Sequence, residues 1–512
     1  MHIDAKNLEN NSLIEGDICI VGAGAAGISM AMEWNNTPHK VILLEGGGFK
    51  YEDEMQELYA GKSTGQHYYP MKSIRLHYFG GTTGHWAGWC AVFDEIDFKK
   101  RDWIPQSGWP ITLADINPFY PRAQRYVEVD KDDFTLDHWL KKDKSFKPFP
   151  LDETKVWSKM WQFSPPTRFG EKYKDSIVNS RNVHLYTYAN VVDIAADESV
   201  SAIREVTVKN LAGKQHRVRA KYFILACCSV QNARLLLASN KQAKNGLGND
   251  HDKVGRNFME HLEMKTSSLW VADPADINLY KMDFGKTKAR AELAIGEKLQ
   301  EKYKILNGTS SLTPLEIAID RPAFIEIWQD EENALKKGIA KYDETKKQPT
   351  KLDIPKGFKA YELFTRMEQA PNPNSRITLD TEKDALGMPR AKLHWELTHL
   401  ERDSLRDINR IIGQEVGRAS MGRVKIYDYL QKDGDPEWPS FTGGGWHHMG
   451  TTRMSEDPKQ GVTDANCKVH GIRNLYVAGA SNFVTAGAVN PTLTLIALTM
   501  RLSDELKKKI KK

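Results

Sequence analysis

Cysteine is scarce in this chain: five residues in 512, two of them adjacent as Cys227-Cys228. Five thiols without a repeated spacing exclude a disulfide framework. The adjacent pair has no matching third cysteine nearby, which favours small buried packing residues over a metal cluster, and no metal site is expected. Long apolar runs are missing as well, and none reaches the ~20 residues of a membrane-spanning helix. The first sixteen residues include Glu9, Asn10 and Asn11 and lack the apolar centre of a signal peptide, so no export address of the chain's own is expected. Charge of one sign is not in large excess: 72 Lys and Arg stand against 67 Asp and Glu. Much of the surplus lies in the tail Leu506–Lys512, which reads as a solvated helix end whose cations suit the helix dipole. No nucleic-acid partner follows from it. There is no internal repeat and no long low-complexity segment.

What is present is a globular composition, 40% hydrophobic and 27% charged, in a chain long enough for two or more domains. The organising stretch is Asp17 to Glu45. The β-branched run Ile18-Cys19-Ile20-Val21 leads into Gly22-Ala23-Gly24-Ala25-Ala26-Gly27, a helical run, and Val41-Ile42-Leu43-Leu44-Glu45. Strand, G-x-G-x-x-G turn, helix, strand and acid in register predict a dinucleotide-binding βαβ unit. Gly22 permits the tight turn, Gly24 the close approach of a pyrophosphate, and Gly27 the packing of helix on strand. The helix N-terminus offers free N–H groups to phosphate, and Glu45 stands where a carboxylate binds ribose hydroxyls. NAD and FAD both fit this stretch.

Gly80-Gly81-Thr82-Thr83-Gly84-His85-Trp86-Ala87-Gly88-Trp89 is a second glycine-rich loop, and its two tryptophans and histidine favour a cofactor-lining role over a plain surface loop. Residues 101–175, rich in Trp, Pro, Lys and Asp, read as a helical and loop insertion, with a capped helix announced by Ser107–Ile116 and running through Tyr120 to Val129, and an exposed linker at 141–150. From 182 the pattern turns to strands at 183–186, 202–208 and 222–226, forming a meander before the helix that opens at Cys227-Cys228. Alternation at 324–328 and 391–397 predicts an antiparallel sheet, followed by a charged helix near 399–418. The last seventy residues hold Trp446-His447-His448-Met449-Gly450-Thr451, the strand Leu475–Val477 leading to Gly479-Ala480, and Asn490-Pro491-Thr492, where proline opens a helix.

Taken together, these motifs resemble the glucose–methanol–choline (GMC) flavin oxidoreductases along the whole chain. The resemblance is carried by Gly22-x-Gly24-x-x-Gly27 with Glu45, by Gly80-Gly81-Thr82-Thr83, by Val254–His261, by His447-x-x-Gly450-Thr451 and by Asn490-Pro491-x-Leu493-Thr494. It is nearest to the branch with pyranose 2-oxidase, bacterial glucoside 3-dehydrogenases and gluconate dehydrogenase flavoprotein subunits. Gly479 replaces an aspartate found elsewhere in the family, and Glu368–Arg376 looks like the sugar-oxidising branch.

The resemblance implies an α/β chain, α+β overall, with a Rossmann-like FAD-binding domain and an antiparallel-sheet substrate-binding domain. Its division is FAD-binding at 13–100, 176–265 and 441–512, insertion at 101–175 and substrate domain at 266–440. It implies FAD held by Gly22, Gly24, Ala25, Gly27, Glu45, Gly80, Gly81, Thr82, Thr83, His85, Gly479, Ala480, Asn490, Pro491 and Thr492. His447 is then the catalytic base and Asn490 its partner, with His448 and Gln369 on the substrate. His85 matches a histidine that carries a covalent flavin bond in pyranose 2-oxidase. Ala233 stands where related glucose dehydrogenases place a third cluster cysteine, so no iron–sulfur cluster is expected.

The implied reaction oxidises a secondary alcohol of a sugar, at C3 of a glucoside, passing hydride to the flavin. A polyol, sterol or gluconate-like substrate and a pyranose 2-oxidase-type oxidase are the alternatives within the family, and a non-catalytic NAD-binding protein the alternative outside it. A cytochrome or quinone-type acceptor is expected, by way of a small partner subunit that would also carry the export signal. The chain would then be cytoplasmic or co-exported to the periplasm.

Overall fold

In the computed structural model the described residues are 1–129, 133–272, 277–281, 289–315, 317–318, 350–351, 358–431, 438–439 and 442–510. Strands Ile18–Val21 and Val41–Leu44 are buried at all four positions each, as strands covered on both faces must be. They lie side by side in a six-stranded parallel sheet, in the order His2–Asp4, Val183–Thr187, Val41–Leu44, Ile18–Val21, Tyr222–Leu225, Leu475–Val477. The crossover between the central pair is the helix Ala25–Trp34. Gly27 makes that crossover possible: a Cβ there would stand 1.8 Å from the carbonyl oxygen of Gly22. The long helix Thr492–Ile510 packs against Ala25–Trp34 and against Tyr120–Tyr126, closing this layer.

The second layer is a seven-stranded antiparallel sheet: Gly422–Ile426, His261–Ala272, Phe358–Glu368, Gly308–Pro314, Ala289–Ile295, Val156–Phe163, Trp89–Cys90. Helix His399–Arg418 lies on it and buries Leu405, Ile408, Ile412 and Val416. Its start is set by a capping box between Thr398 and Glu401. This helix lies where its charge and periodicity predict it. No helix among the described residues is long and apolar enough to cross a membrane.

Three local readings change. The segment 101–175 is not helix and loop throughout, because Val156–Phe163 pairs along its length with Ala289–Ile295. The stretch at 141–150 is not a plain exposed linker, since Phe146 and Phe149 are buried. The meander is formed by Asn190–Ala196, Ile203–Lys209 and Gln215–Arg219, while the strands at 183–187 and 222–225 belong to the parallel sheet. Pro389–Trp395 is indeed a strand, but it pairs antiparallel with Arg376–Lys383 and parallel with Gly61–Gly65 in a separate small sheet. Alternation specifies a half-buried strand and says nothing of its partner. The strand expected at 324–328 lies outside the described residues.

Candidate active site

The glycine turn, the second glycine loop and the C-terminal histidine loop line one cavity of about 600 Å³. At the turn, Gly24 caps the helix Ala25–Trp34 without a side chain, and a Cβ on it would meet nothing within 4 Å. The first-turn N–H groups therefore have no side-chain partner, and Gly24, Ala25 and Ala26 all face the cavity. Glu45 lines it too, buried, accepting N–H from Ala23 at 3.1 Å and from Gly47 at 2.9 Å. Burial pushes its carboxyl up to about 7 despite those hydrogen bonds.

Gly81, Thr82, Thr83 and His85 line the same space, pressed over the first turn by the Gly80 N–H, which donates to Ala23 O at 2.8 Å. Gly80 itself is not on the wall. Its φ of +101°, and the Gly170 backbone 2.6 Å from where a Cβ would stand, make it a loop-shaping residue instead. His85 opens onto the cavity, with its ring 5.9 Å from that of Trp446. Desolvation by the surrounding protein, with Arg168 nearby, pushes its imidazole down to about 4. Gly479, Ala480, Pro491 and Thr492 complete the wall beside the start of helix Thr492–Ile510.

The two neighbouring histidines are separated by their partners. His447 Nε2 lies 2.8 Å from Asn490 Nδ2, and both residues line the cavity. His448 turns instead to Tyr68, its Nε2 2.9 Å from the phenol oxygen, and Tyr68 donates onward to Glu260 at 2.5 Å. The loop that carries the pair is pinned against the start of the long strand by bridges Met259–Met449 and Leu262–Gly444. Glu260 also accepts the His447 backbone N–H. Burial, then the neighbouring charges of His261, Arg366 and His448, hold the His447 imidazole well below its ordinary range. Asn490 Oδ1 is buried with no hydrogen-bond partner.

Two readings need correction. Gln369 is not on the cavity wall. It is fully buried, accepts from Glu260 N at 3.1 Å and Trp395 Nε1 at 3.0 Å, and donates to Glu396 O at 2.9 Å. Those bonds and its burial away from the cavity make it a tie between neighbouring segments and not a substrate contact. Cys227 and Cys228 are not buried packing residues: both line the cavity, and Cys228 is exposed to it. Conversely, Glu263 and Arg366 belong to the site although their sequence surroundings do not mark them, while Trp89 ends the aromatic glycine loop already expected to line a cofactor. His261 closes the 254–261 motif, so its position is visible in the sequence. Glu263 and Arg366 are brought together by strand pairing within the antiparallel sheet.

These residues fit FAD. An open helix N-terminus behind a glycine with free space before it suits a pyrophosphate, and a buried carboxylate beside it suits a ribose. The orphaned Asn490 oxygen beside the second helix start marks a place where a polar ligand atom is missing.

Residues 371–499 match the family model described as GMC oxidoreductase. The chain is 24% identical to the 2-methyl-1,2-propanediol dehydrogenase of Mycolicibacterium austroafricanum over 96% of its own length and 95% of the relative. It is 26% identical to the fructose dehydrogenase large subunit of Gluconobacter japonicus, over 57% of this chain and 48% of that one. Identity to the C-glycoside 3-oxidase of Arthrobacter globiformis is 25%, over 62% and 52% respectively. In fold, it is similar to the formate oxidase of Aspergillus oryzae RIB40, with a TM-score of 0.55 at 16% identity, covering 98% of this chain and all of that one. Residues 371–499 therefore carry the stretch that the GMC oxidoreductase model describes, and the chain as a whole is similar to FAD-dependent enzymes acting on CH–OH donors.

Proposed function

We propose that this enzyme oxidises a secondary hydroxyl of a sugar, the C3 hydroxyl of a glucoside, to the ketone. The observation that carries this reading is the His447–Asn490 pair, 2.8 Å apart on the wall of the cavity that also holds the glycine turn. Bound FAD supplies the hydride acceptor. Gly22, Gly24 and Ala25 would hold its pyrophosphate side, Glu45 a ribose, and Gly81–Thr83, His85, Gly479, Ala480, Pro491 and Thr492 the remainder. Gly27 is off the wall, packing the helix on the strand behind them. A substrate hydroxyl entering between the pair donates to His447 Nε2 and accepts from Asn490 Nδ2. His447, neutral in its buried setting, then takes the proton as the carbon gives up hydride. Asn490 steadies the charge that develops on the oxygen, and cannot itself take the proton.

Support for a sugar comes from the same cavity. Trp89 and Phe364 offer apolar faces, Glu263 an acceptor and Arg366 a donor. Arg366 pairs with Glu263 at 2.6 Å and with Glu292 at 3.6 Å, while Arg290 pairs with Glu292 at 2.6 Å. Glu263 and Arg366 on the wall thus neutralise each other, which suits a neutral polyhydroxyl molecule over an acid such as gluconate. The likeness to a C-glycoside 3-oxidase and a fructose dehydrogenase points the same way. A small diol is the second reading, favoured by the near full-length match to a propanediol dehydrogenase. The acceptor in this reading is a cytochrome or quinone, reached through a partner subunit.

The test is to incubate the FAD-loaded enzyme with neutral glucosides, small diols and gluconate, each with an artificial acceptor and separately with oxygen. A 3-keto glucoside identified by NMR, formed with the dye much faster than with oxygen, is the expected outcome. Turnover of diols alone would replace the substrate assignment, and rapid peroxide formation would replace the acceptor.

A further inference from the structure

Behind His447, on the side away from Asn490, stands a second histidine. The Nδ1 atoms of His261 and His447 are 2.9 Å apart, with the rings nearly perpendicular at 76°. His261 is fully buried at the start of strand His261–Ala272. Its other nitrogen, Nε2, lies 2.8 Å from Gly487 O and 3.3 Å from Ala486 O.

These contacts determine where the protons are. Carbonyl oxygens only accept, so His261 Nε2 must carry a hydrogen to donate to Gly487 and Ala486. Burial pushes the His261 imidazole down to about 4, so near neutrality the ring holds that one proton and its Nδ1 is a bare lone pair. A lone pair facing His447 Nδ1 at 2.9 Å demands a hydrogen on the latter. His447, itself neutral, has then spent its only proton on Nδ1. Its Nε2 is bare, turned to the Asn490 amide, on the cavity side.

We propose that His261 is a positioning residue that fixes the tautomer of His447, so that the nitrogen facing the substrate is an acceptor. This rests on the reading of His447 as the base. The alternative tautomer, with hydrogen on Nε2, would meet the Asn490 N–H donor to donor and could not accept a hydroxyl proton. A neutral ring held by two backbone carbonyls does here what a carboxylate does elsewhere, without placing a full negative charge against the base. After proton transfer the His447 imidazolium keeps its Nδ1–H bond to His261, with Glu263 Oε1 3.9 Å away. The carbonyls come from Ala486-Gly487, four and three residues before Asn490, so one loop supplies both the reference point and the partner of the base.

The first test needs no variant: ¹⁵N-histidine NMR of the FAD-loaded protein, with His447 signals assigned by their loss in His447→Ala. The expected result is His447 protonated at Nδ1 and bare at Nε2; the reverse assignment would overturn the proposal. In the second, His261→Leu should keep its flavin absorption and slow anaerobic flavin reduction by roughly 10²–10⁴-fold, the worth of a base held in its accepting tautomer. Its His447 signals should show the two tautomers mixed. His261→Asn, whose amide oxygen falls where Nδ1 was and can accept from His447 Nδ1–H, should recover most of that loss. If His447→Ala is slow while His261→Leu reduces at the wild-type rate, the tautomer role is wrong and the base stands. Normal reduction by His447→Ala would remove the base reading itself.

Discussion

At the scale of single residues, the site is defined by groups kept away from their ordinary protonation. His447 is held well below the usual histidine range, chiefly by burial. A base works when unprotonated, so lowering its value moves the acid limb of activity downward. Flavin reduction should stay level from pH 8 to about pH 5.5, measured by stopped flow with oxygen excluded. An acid limb centred near 6.5 would mean that His447 titrates as if exposed. Glu45 is shifted the other way, up to about 7 from 4.5. Its contribution to apoprotein stability is fully present below about pH 4.5 and is lost as pH rises through about 7, because over that range the unfolded chain has released this proton while burial still holds it in the folded state. Glu45→Gln removes that loss. Thermal unfolding of the FAD-free protein should show the variant gaining on wild type at pH 8 relative to pH 5; an equal difference at both would refute the burial argument.

At the scale of elements, two glycines of one turn carry separable jobs. A Cβ on Gly27 collides with the Gly22 carbonyl at 1.8 Å, whereas one on Gly24 meets no protein atom within 4 Å. Gly27→Ala should lower the Tm of the apoprotein by several degrees. Gly24→Ala should leave that Tm within a degree or two and weaken FAD binding at least tenfold, read by flavin fluorescence. If both variants lose stability alike, the cradle reading of Gly24 fails. This turn was also the most legible part of the sequence, because glycine spacing, strand run and acid are local signals. Helix His399–Arg418 was legible for the same reason, through its period and its Thr398–Glu401 box. The strand pairings were not. Val156–Phe163 joins Ala289–Ile295, and Pro389–Trp395 joins Gly61–Gly65, across more than a hundred residues of sequence. Nothing in a strand's own residues names so distant a neighbour. Gln369 misled for a related reason: its family-like surroundings were visible, while the three groups that occupy its amide came from elsewhere in the fold.

At the scale of the whole molecule, the cavity lies where the parallel sheet's glycine turn meets the face of the antiparallel sheet. Gly22–Ala26 come from the first, and Glu263, Phe364 and Arg366 from the second. We propose that the cofactor is held by the segments at 13–100, 176–265 and 441–512 and that the substrate is covered by 266–440. Trp89 and Val156–Phe163 extend the substrate-side sheet from earlier in the chain. The C-terminal loops then bring His447 and Asn490, which we propose as base and partner, to the seam, because they flank the strand Leu475–Val477 that ends the parallel sheet. In the function proposed above, the hydroxyl proton is accepted inside this cavity, and the chemistry of the enzyme turns on that step.

The measurement that addresses it most directly is anaerobic stopped-flow reduction of the bound flavin by a glucoside that the wild type turns over, in His447→Ala, His448→Ala and Asn490→Ala. All three should bind FAD. His447→Ala should reduce roughly 10²–10⁴-fold more slowly and Asn490→Ala about 10²–10³-fold. The double variant should fall short of the product of the two, since both groups act on one hydroxyl. His448→Ala, whose ring is committed to Tyr68 at 2.9 Å, should stay within about tenfold of wild type. A crippled His448→Ala beside a normally reducing His447→Ala would contradict the assignment of His447 as the base.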